Sequence, residues 1–237
     1  MAINVSRKEL LAVGLPSYVI GVGVAYTLGY WGTFGLNPLQ FMGISELARL
    51  AIYPLMATLA LAIVLMAANY FFLSGVLPPG GGANSVINRT GRKYWGTLLA
   101  ILCITIVVTI TYAPEPSKWY ILAVLVTLFS TPLTHVPRII ELIPSPRVRA
   151  FGLLLLIALP ALAFAQGRLR AYNITQGYAE HCVDLSRSAL PPGPAASKAA
   201  YLGYLGGMHV LREHPSGVIV FVKQKEDAPL YLSSEVR

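Results

Sequence analysis

Acidic residues are scarce in this chain: its 237 residues hold ten Asp and Glu against eighteen Lys and Arg, for a formal net charge of +8. Charged residues of both signs make up only 12% of the total, about half of the roughly 25% usual in a soluble domain. Few carboxylates means few ways to build a paired acid–base site or an oxygen-rich metal cage. Cysteine is almost missing as well. Cys103 and Cys182 are the only two, and they fall in different layers of the expected fold, which argues against a disulfide framework. H-E-x-x-H and G-x-S-x-G are both absent, so the common signatures of metallopeptidases and α/β-hydrolases are excluded. No Asp, Glu, Lys or Arg interrupts the apolar runs, and this argues against a proton- or sodium-coupled transporter, which keeps ionisable groups at depth.

Those apolar runs dominate what is present. Leu10–Trp31, Leu50–Phe72, Tyr94–Pro114, Trp119–Pro137 and Ala150–Gln166 are charge-free over 22, 23, 21, 19 and 17 residues. A helix rises about 1.5 Å per residue, so roughly 20 residues cross a hydrocarbon core about 30 Å thick. The reading is an all-α polytopic membrane bundle of about five transmembrane helices over residues 1–166. A small C-terminal extramembrane α+β segment, a short antiparallel meander, follows over 167–237. The first run exceeds the 7–15 residues of a signal-peptide core and reads as a retained helix. The fifth is the shortest, contains Pro160 and is followed by Arg168; without it, the tail lies on the other side.

Charge sets the orientation. Arg7, Lys8, Arg89, Arg92, Lys93, Arg138, Arg147 and Arg149 flank the runs on one side, whereas only Arg49 and Lys118 flank them on the other. The positive-inside rule then puts the N-terminus in the cytoplasm and the C-terminus outside an inner (plasma) membrane. The basic excess is explained by helix ends and anionic lipid; no basic stripe interleaved with aromatics suggests nucleic acid. Trp31, Trp95 and Trp119 sit at run ends, where indole rings favour the headgroup layer.

Candidate contact residues follow from this frame. Phe34 and Phe41 belong to an apolar outer segment, Gly32–Arg49, expected to lie on the membrane surface or to fold over the mouth of the bundle, with a lid or partner-binding role as its functional reading. Arg89, Arg92 and Lys93 lie in a Gly-Pro-rich loop without Walker A spacing, and Arg138, Arg147 and Arg149 in a second basic connector; both are candidate lipid or partner contacts. His135, near the end of the fourth run, is the one candidate gate or pH-sensing group. Gly21 with Ala25 and Thr105 with Thr109 stand four apart, a spacing that suits close helix packing.

In the tail, Gly167–Leu185 is read as a continuation of the last helix and Ser186–Ser197 as a linker. Gly206–Glu213, Val218–Lys223 and Leu230–Leu232 are the expected strands, too few to be stable without packing on the helix or a second subunit. His181, Cys182, Asp184, His209 and His214 match no zinc spacing, and no cofactor pattern is found. Two functions remain. The first is a non-enzymatic membrane protein acting through protein contacts: a sensor, an immunity or defence component, or an assembly subunit, working as a homo-oligomer or with a membrane or cytoplasmic partner. The second is an oligomeric channel or uncoupled transporter subunit, lined by the hydroxyls of residues such as Thr105, Thr109 and Thr111.

Overall fold

A computed structural model describes residues 7–50, 52, 56, 93–128, 130–134, 136–179, 181–184, 198–213, 216–223 and 231–233. Helix α1 (Arg7–Gly32) is followed by a 3-10 turn (Pro38–Gln40) and a helical stretch over residues 44–50. Then come α2 (Trp95–Tyr112), α3 (Ser117–Thr127), the short α4 (Ser130–Leu133) and α5 (Pro137–Leu142), and finally the long α6 (Pro146–Thr175). Five strands follow among the described residues: β1 (Cys182–Asp184), β2 (Lys198–Leu205), β3 (Met208–Glu213), β4 (Ile219–Val222) and β5 (Leu232–Ser233).

The expectation of about five membrane-spanning helices is corrected here. Among the described residues one helix is long and apolar enough to cross a membrane, over Val148–Thr175. It is the run that looked weakest in the sequence. α1 runs for 26 residues but is not among the described stretches that qualify. The apolar part of α2, Leu99–Tyr112, is too short, and the fourth run is split. Its helix α3 stops after 11 residues, about 16 Å of rise, and Pro132 lies in the four-residue α4. Proline lacks the N–H that an unbroken helix needs. The second run lies outside the described residues apart from positions 52 and 56.

α1 and α6 pack side by side and point the same way. The Tyr18 hydroxyl donates to the Leu155 carbonyl at 3.0 Å, while twelve residues on, Tyr30 shares a buried cluster with Ala171. The middle of the pair is a small-residue contact. A Cβ on Gly29 would run into the Phe164 carbonyl, and one on Gly167 would lie 2.8 Å from the Tyr30 nitrogen. Val22, Tyr26, Leu159 and Ala163 fill the seam on the α1 N-terminal side of that crossing. The close approach uses neither Gly14 nor Gly21, whose Cβ positions meet nothing within 4 Å. α3 runs against α6, its first turn laying Trp119 edge-on to Phe164 at 5.1 Å between centroids.

α6 has clear local stop signals. Pro146 occupies its first turn after Ser145, a place where a missing N–H costs nothing. It ends in a Schellman arrangement: Gly177 takes φ +92°, its N–H reaches the Ile174 carbonyl at 3.1 Å, and the Tyr178 N–H reaches that of Asn173 at 2.9 Å. The helix thus stops ten residues short of the expected Leu185, and the chain turns into the sheet.

The sheet is wholly antiparallel, in the order β4-β3-β2-β1-β5. This corrects the expected short meander, because β1 and the eight-residue β2 join it at the centre. Gly206 and Gly207, both at positive φ (57° and 82°), make the two-residue turn between β2 and β3. A register shift between Tyr201 and Gly203 interrupts strand alternation. It is what lets Leu202 and Leu205, an odd number of residues apart, lie on the same face. That face joins Tyr30, Trp31, Ala171, Ile174 and Val210 in the largest buried cluster. The sheet therefore shares its core with the C-terminal ends of both long helices. Val183, Ala199 and Leu211 form a smaller cluster.

A candidate recognition cleft at the helix–sheet junction

Where the helix pair meets the sheet, a cleft of about 190 Å³ remains. The last turns of α1 supply Tyr26, Tyr30 and Trp31, and α6 supplies Arg170 and Ile174. β2 contributes Tyr201, Leu202, Gly203 and Tyr204, with Met42, Leu50 and His181 from the connecting segments. The volume is below the roughly 300–1,000 Å³ of drug-sized sites, so it suits a small group or the end of a larger molecule.

Each wall is fixed by a specific contact. Tyr26 and Tyr30, one helical turn apart, stack with planes 5° apart and centroids at 6.4 Å. The Tyr30 hydroxyl donates to the buried Leu202 carbonyl at 2.6 Å, tying α1 to the bulged part of β2. Arg170 donates to the Tyr26 hydroxyl at 3.3 Å. Gly203 sits at φ +139° with its Cβ position 3.6 Å from the Trp31 ring, a backbone conformation that side-chain-bearing residues avoid. Beside the cleft, the Tyr201 hydroxyl and His209 Nδ1 are 3.0 Å apart, and the Tyr204 ring meets His209 edge-on. Among the described residues the lining therefore offers aromatic faces, phenol hydroxyls, an imidazole and a guanidinium, and no carboxylate, serine or cysteine. Such a surface suits an amphipathic group, with an apolar body and a polar end. Among the described residues no three His, Cys, Asp or Glu side chains are grouped to hold a metal ion.

The residues singled out in the sequence have varied fates. Phe34 packs against the junction core, its ring 5.5 Å from Tyr30. Phe41 stacks on Phe221 of β4 at 6.0 Å, and the Gly206 turn fits against its backbone. The segment expected on a membrane surface or over the mouth of the bundle packs in part against the sheet, while Leu39 and Ile44 stay exposed. Arg149 is 9% exposed and donates to the Ile143 and Pro144 carbonyls at 2.9 and 3.4 Å. It caps the end of α5 rather than reaching outward. Arg138 is exposed on α5, and Lys93 lies 5.5 Å from the Tyr94 ring. Arg147 stands in the first turn of α6, while Arg89, Arg92 and His135 lie outside the described residues. No sequence pattern marks the cleft as a whole, since its walls come from segments up to 178 positions apart, from Tyr26 to Tyr204. The one local signal was Tyr26 and Tyr30 at i, i+4.

Burial pushes the Tyr201 phenol above its ordinary value, and the neighbouring Tyr204 adds to the shift. The unfolded chain then loses this proton first as pH rises past about 10. The folded state binds more protons in that window, so stability present below it falls as pH climbs through the raised value. Melting temperatures at pH 8 and pH 10.5 are expected to differ less in Tyr201→Phe than in the parent. An equal alkaline loss in both would remove Tyr201 as the cause.

No protein-family model, curated protein or solved structure matches this chain.

Proposed function

We propose that this protein is anchored in a membrane through α6 and acts by recognition, without catalysis, using the sheet and its junction cleft as an extracytoplasmic head. The observation that carries the reading is the charge pattern of α6. It is free of charge from Ala150 to Gln166 and bracketed by Arg149 and Arg168, about 28 Å apart along the axis at 1.5 Å per residue. That length fits a hydrocarbon core of about 30 Å.

Two further features support it. α1 and α6 are parallel, and both begin in basic residues, Arg7 with Lys8 and Arg147 with Arg149. Cations at the same end of both helices favour a cytoplasmic start and an outward-facing sheet. The exposed apolar surface of α2 is extensive: Ile101, Ile104, Val107 and Ile110 are all more than half exposed, a surface suited to lipid or a partner helix and not to water.

The channel reading is weaker. The Thr105, Thr109 and Thr111 hydroxyls each donate to carbonyls of their own helix, at 2.8, 2.8 and 3.0 Å, so they have no donor left for a solute. Reporter fusions after Arg237 test the orientation. An alkaline phosphatase fusion is expected to be active and a fluorescent-protein fusion dark; the reverse pair of results discards the outward head. Solute flux through liposomes holding the purified protein would favour a channel instead.

A further inference from the structure

Arg168 stands apart from the other cations of the helical region. It lies one residue past the Gly29–Gly167 crossing, at the sheet end of α6. Its guanidinium carbon is 4.7 Å from the centre of the Trp119 ring and 5.7 Å from that of Phe164. One terminal nitrogen reaches the Thr33 hydroxyl at 3.4 Å, and Nε is shut off from solvent with no acceptor. Three helical elements thus hold the group: the end of α1, the first turn of α3 and α6. The other cations around it are satisfied differently. Lys118 also lies over the Trp119 ring, at 5.3 Å, but it is ion-paired with Glu115. That same carboxylate accepts the Trp119 indole N–H at 2.8 Å and so fixes the ring.

The arithmetic of donors is uneven. A guanidinium carries five N–H donors. Among the described residues Arg168 has one long hydrogen bond to a neutral hydroxyl and no carboxylate partner. Aromatic faces stabilise the charge but accept no strong hydrogen bond. A half-buried cation with most donors unused calls for an acceptor bearing several oxygens and negative charge, and phosphate meets this need in the fork geometry arginine favours. Trp119, the indole that supports it, is the residue type that marks the headgroup layer.

We propose that Arg168, held over Trp119 and Phe164, seats the phosphate of an anionic membrane phospholipid. This rests on the reading that α6 crosses a bilayer, which puts Arg168 and Trp119 at the level of the headgroups. Lys118 stands on the same indole and lends positive potential to the seat, while Glu115 holds the ring in place. The lipid is a structural ligand that fastens α3 to the α1–α6 pair from outside.

Native mass spectrometry of the delipidated full-length protein in detergent tests the seat. The probes are phosphatidylglycerol, phosphatidylcholine and inorganic phosphate. The parent is expected to retain phosphatidylglycerol over phosphatidylcholine by about tenfold, as one charge-assisted contact suggests. Arg168→Gln is expected to bring the two lipids to parity, and Arg168→Lys to fall between, because lysine keeps the charge without the fork. An unchanged preference in Arg168→Gln overturns the proposal. So does displacement of phosphatidylglycerol by millimolar inorganic phosphate, which would identify the ligand as a soluble anion. If Arg168→Gln does not fold, Arg168→Lys decides: a preference equal to that of the parent overturns the bidentate seat. A separate measurement isolates the underlying reading. Brominated phosphatidylcholine in vesicles is expected to quench a component of the tryptophan fluorescence that Trp119→Phe removes. Absence of that component sinks the bilayer placement, whereas its presence with an unchanged lipid preference sinks only the phosphate seat.

Discussion

Gly167→Val lowers the melting temperature of the solubilised protein by about 6–12 °C or prevents its accumulation, and Gly29→Val does the same. The cause is steric and lies in the backbone on both sides. At Gly29 an added Cβ meets the carbonyl group of Phe164, whose carbon and Cα stand at 3.1 and 3.2 Å. At Gly167 it meets the Tyr26 carbonyl, the Tyr30 nitrogen at 2.8 Å and the Gly29 carbonyl carbon at 3.3 Å. A crowded side chain can rotate away, but a helix backbone cannot, so the two axes must separate. Overpacking of this kind costs about 1–3 kcal/mol, and sometimes more. At the upper end, with a shift of about 2–4 °C per kcal/mol for a chain of this size, the stated range follows. Separation also strips contacts from Val22, Tyr26, Leu159 and Ala163, which line the seam.

Gly21→Ala and Gly152→Ala are the matched controls. Their Cβ positions meet nothing within 4 Å, so alanine should be neutral or stabilise by up to about 0.5–1 kcal/mol through helix propensity. Circular dichroism melts of the four variants in one detergent decide the matter. If valine at residues 29 and 167 melts with the alanine controls, the helices do not cross at that point.

The sequence made parts of this architecture legible and hid others for definable reasons. The first apolar run, Leu10–Trp31, nearly coincides with α1, because it begins just after Arg7, Lys8 and Glu9 and ends where Gly32, Gly35 and Asn37-Pro38 favour turns over helix. The last run, Ala150–Gln166, marks the middle of α6, and the continuation expected over Gly167–Leu185 covers its end at Thr175 but overshoots it by ten residues, past the stop at Gly177. Beyond Gln166 the helix leaves the uniformly apolar environment and carries Arg168 and Arg170 on faces that meet aromatic rings and a phenol. Strand β2 falls in the gap between the expected linker, Ser186–Ser197, and the first expected strand, Gly206–Glu213. Lys198-Ala-Ala-Tyr-Leu-Gly-Tyr-Leu205 lacks strict alternation and is rich in alanine and glycine, which have poor strand propensity. It is a strand because it pairs on both sides and because small residues suit a face pressed against helix ends, as Gly203 is against Trp31. Gly21 and Ala25 had the spacing of a helix contact, yet the close approach falls at Gly29. Spacing identifies a face, but only the partner helix determines which face is used. The cleft was illegible for the same reason, since Tyr26, Arg170 and Tyr201 become neighbours only when the sheet docks.

That docking depends on Trp31, and Trp31→Ala is expected to cost about 3–5 kcal/mol, the range for deleting a large buried aromatic. The indole is 3% exposed, meets Tyr30 edge-on at 5.1 Å and Phe34 at 6.4 Å, and lies against Gly203 on the bulged strand. Its loss opens a cavity beside the existing cleft and leaves the junction to the Tyr30–Leu202 hydrogen bond and to what remains of the cluster of Ala171, Ile174, Leu202, Leu205 and Val210. The damage should be unequal. The helix pair keeps its own seam below the junction, whereas the sheet is left with Val183, Ala199 and Leu211 as its other buried cluster. Three such residues are too little core for an independent sheet. Protease added to Trp31→Ala should therefore cut residues 176–181, where α6 gives way to β1, and digest the sheet while a helical fragment survives. The parent should resist at the same enzyme concentration. Simultaneous loss of helices and sheet would mean that the two share one cooperative unit, and resistance equal to the parent would mean that Trp31 does not fasten them. This dependence also makes point variants a better probe of recognition than removal of residues 201–237, which would uncover Tyr30, Trp31 and Ile174 and confuse lost recognition with lost folding.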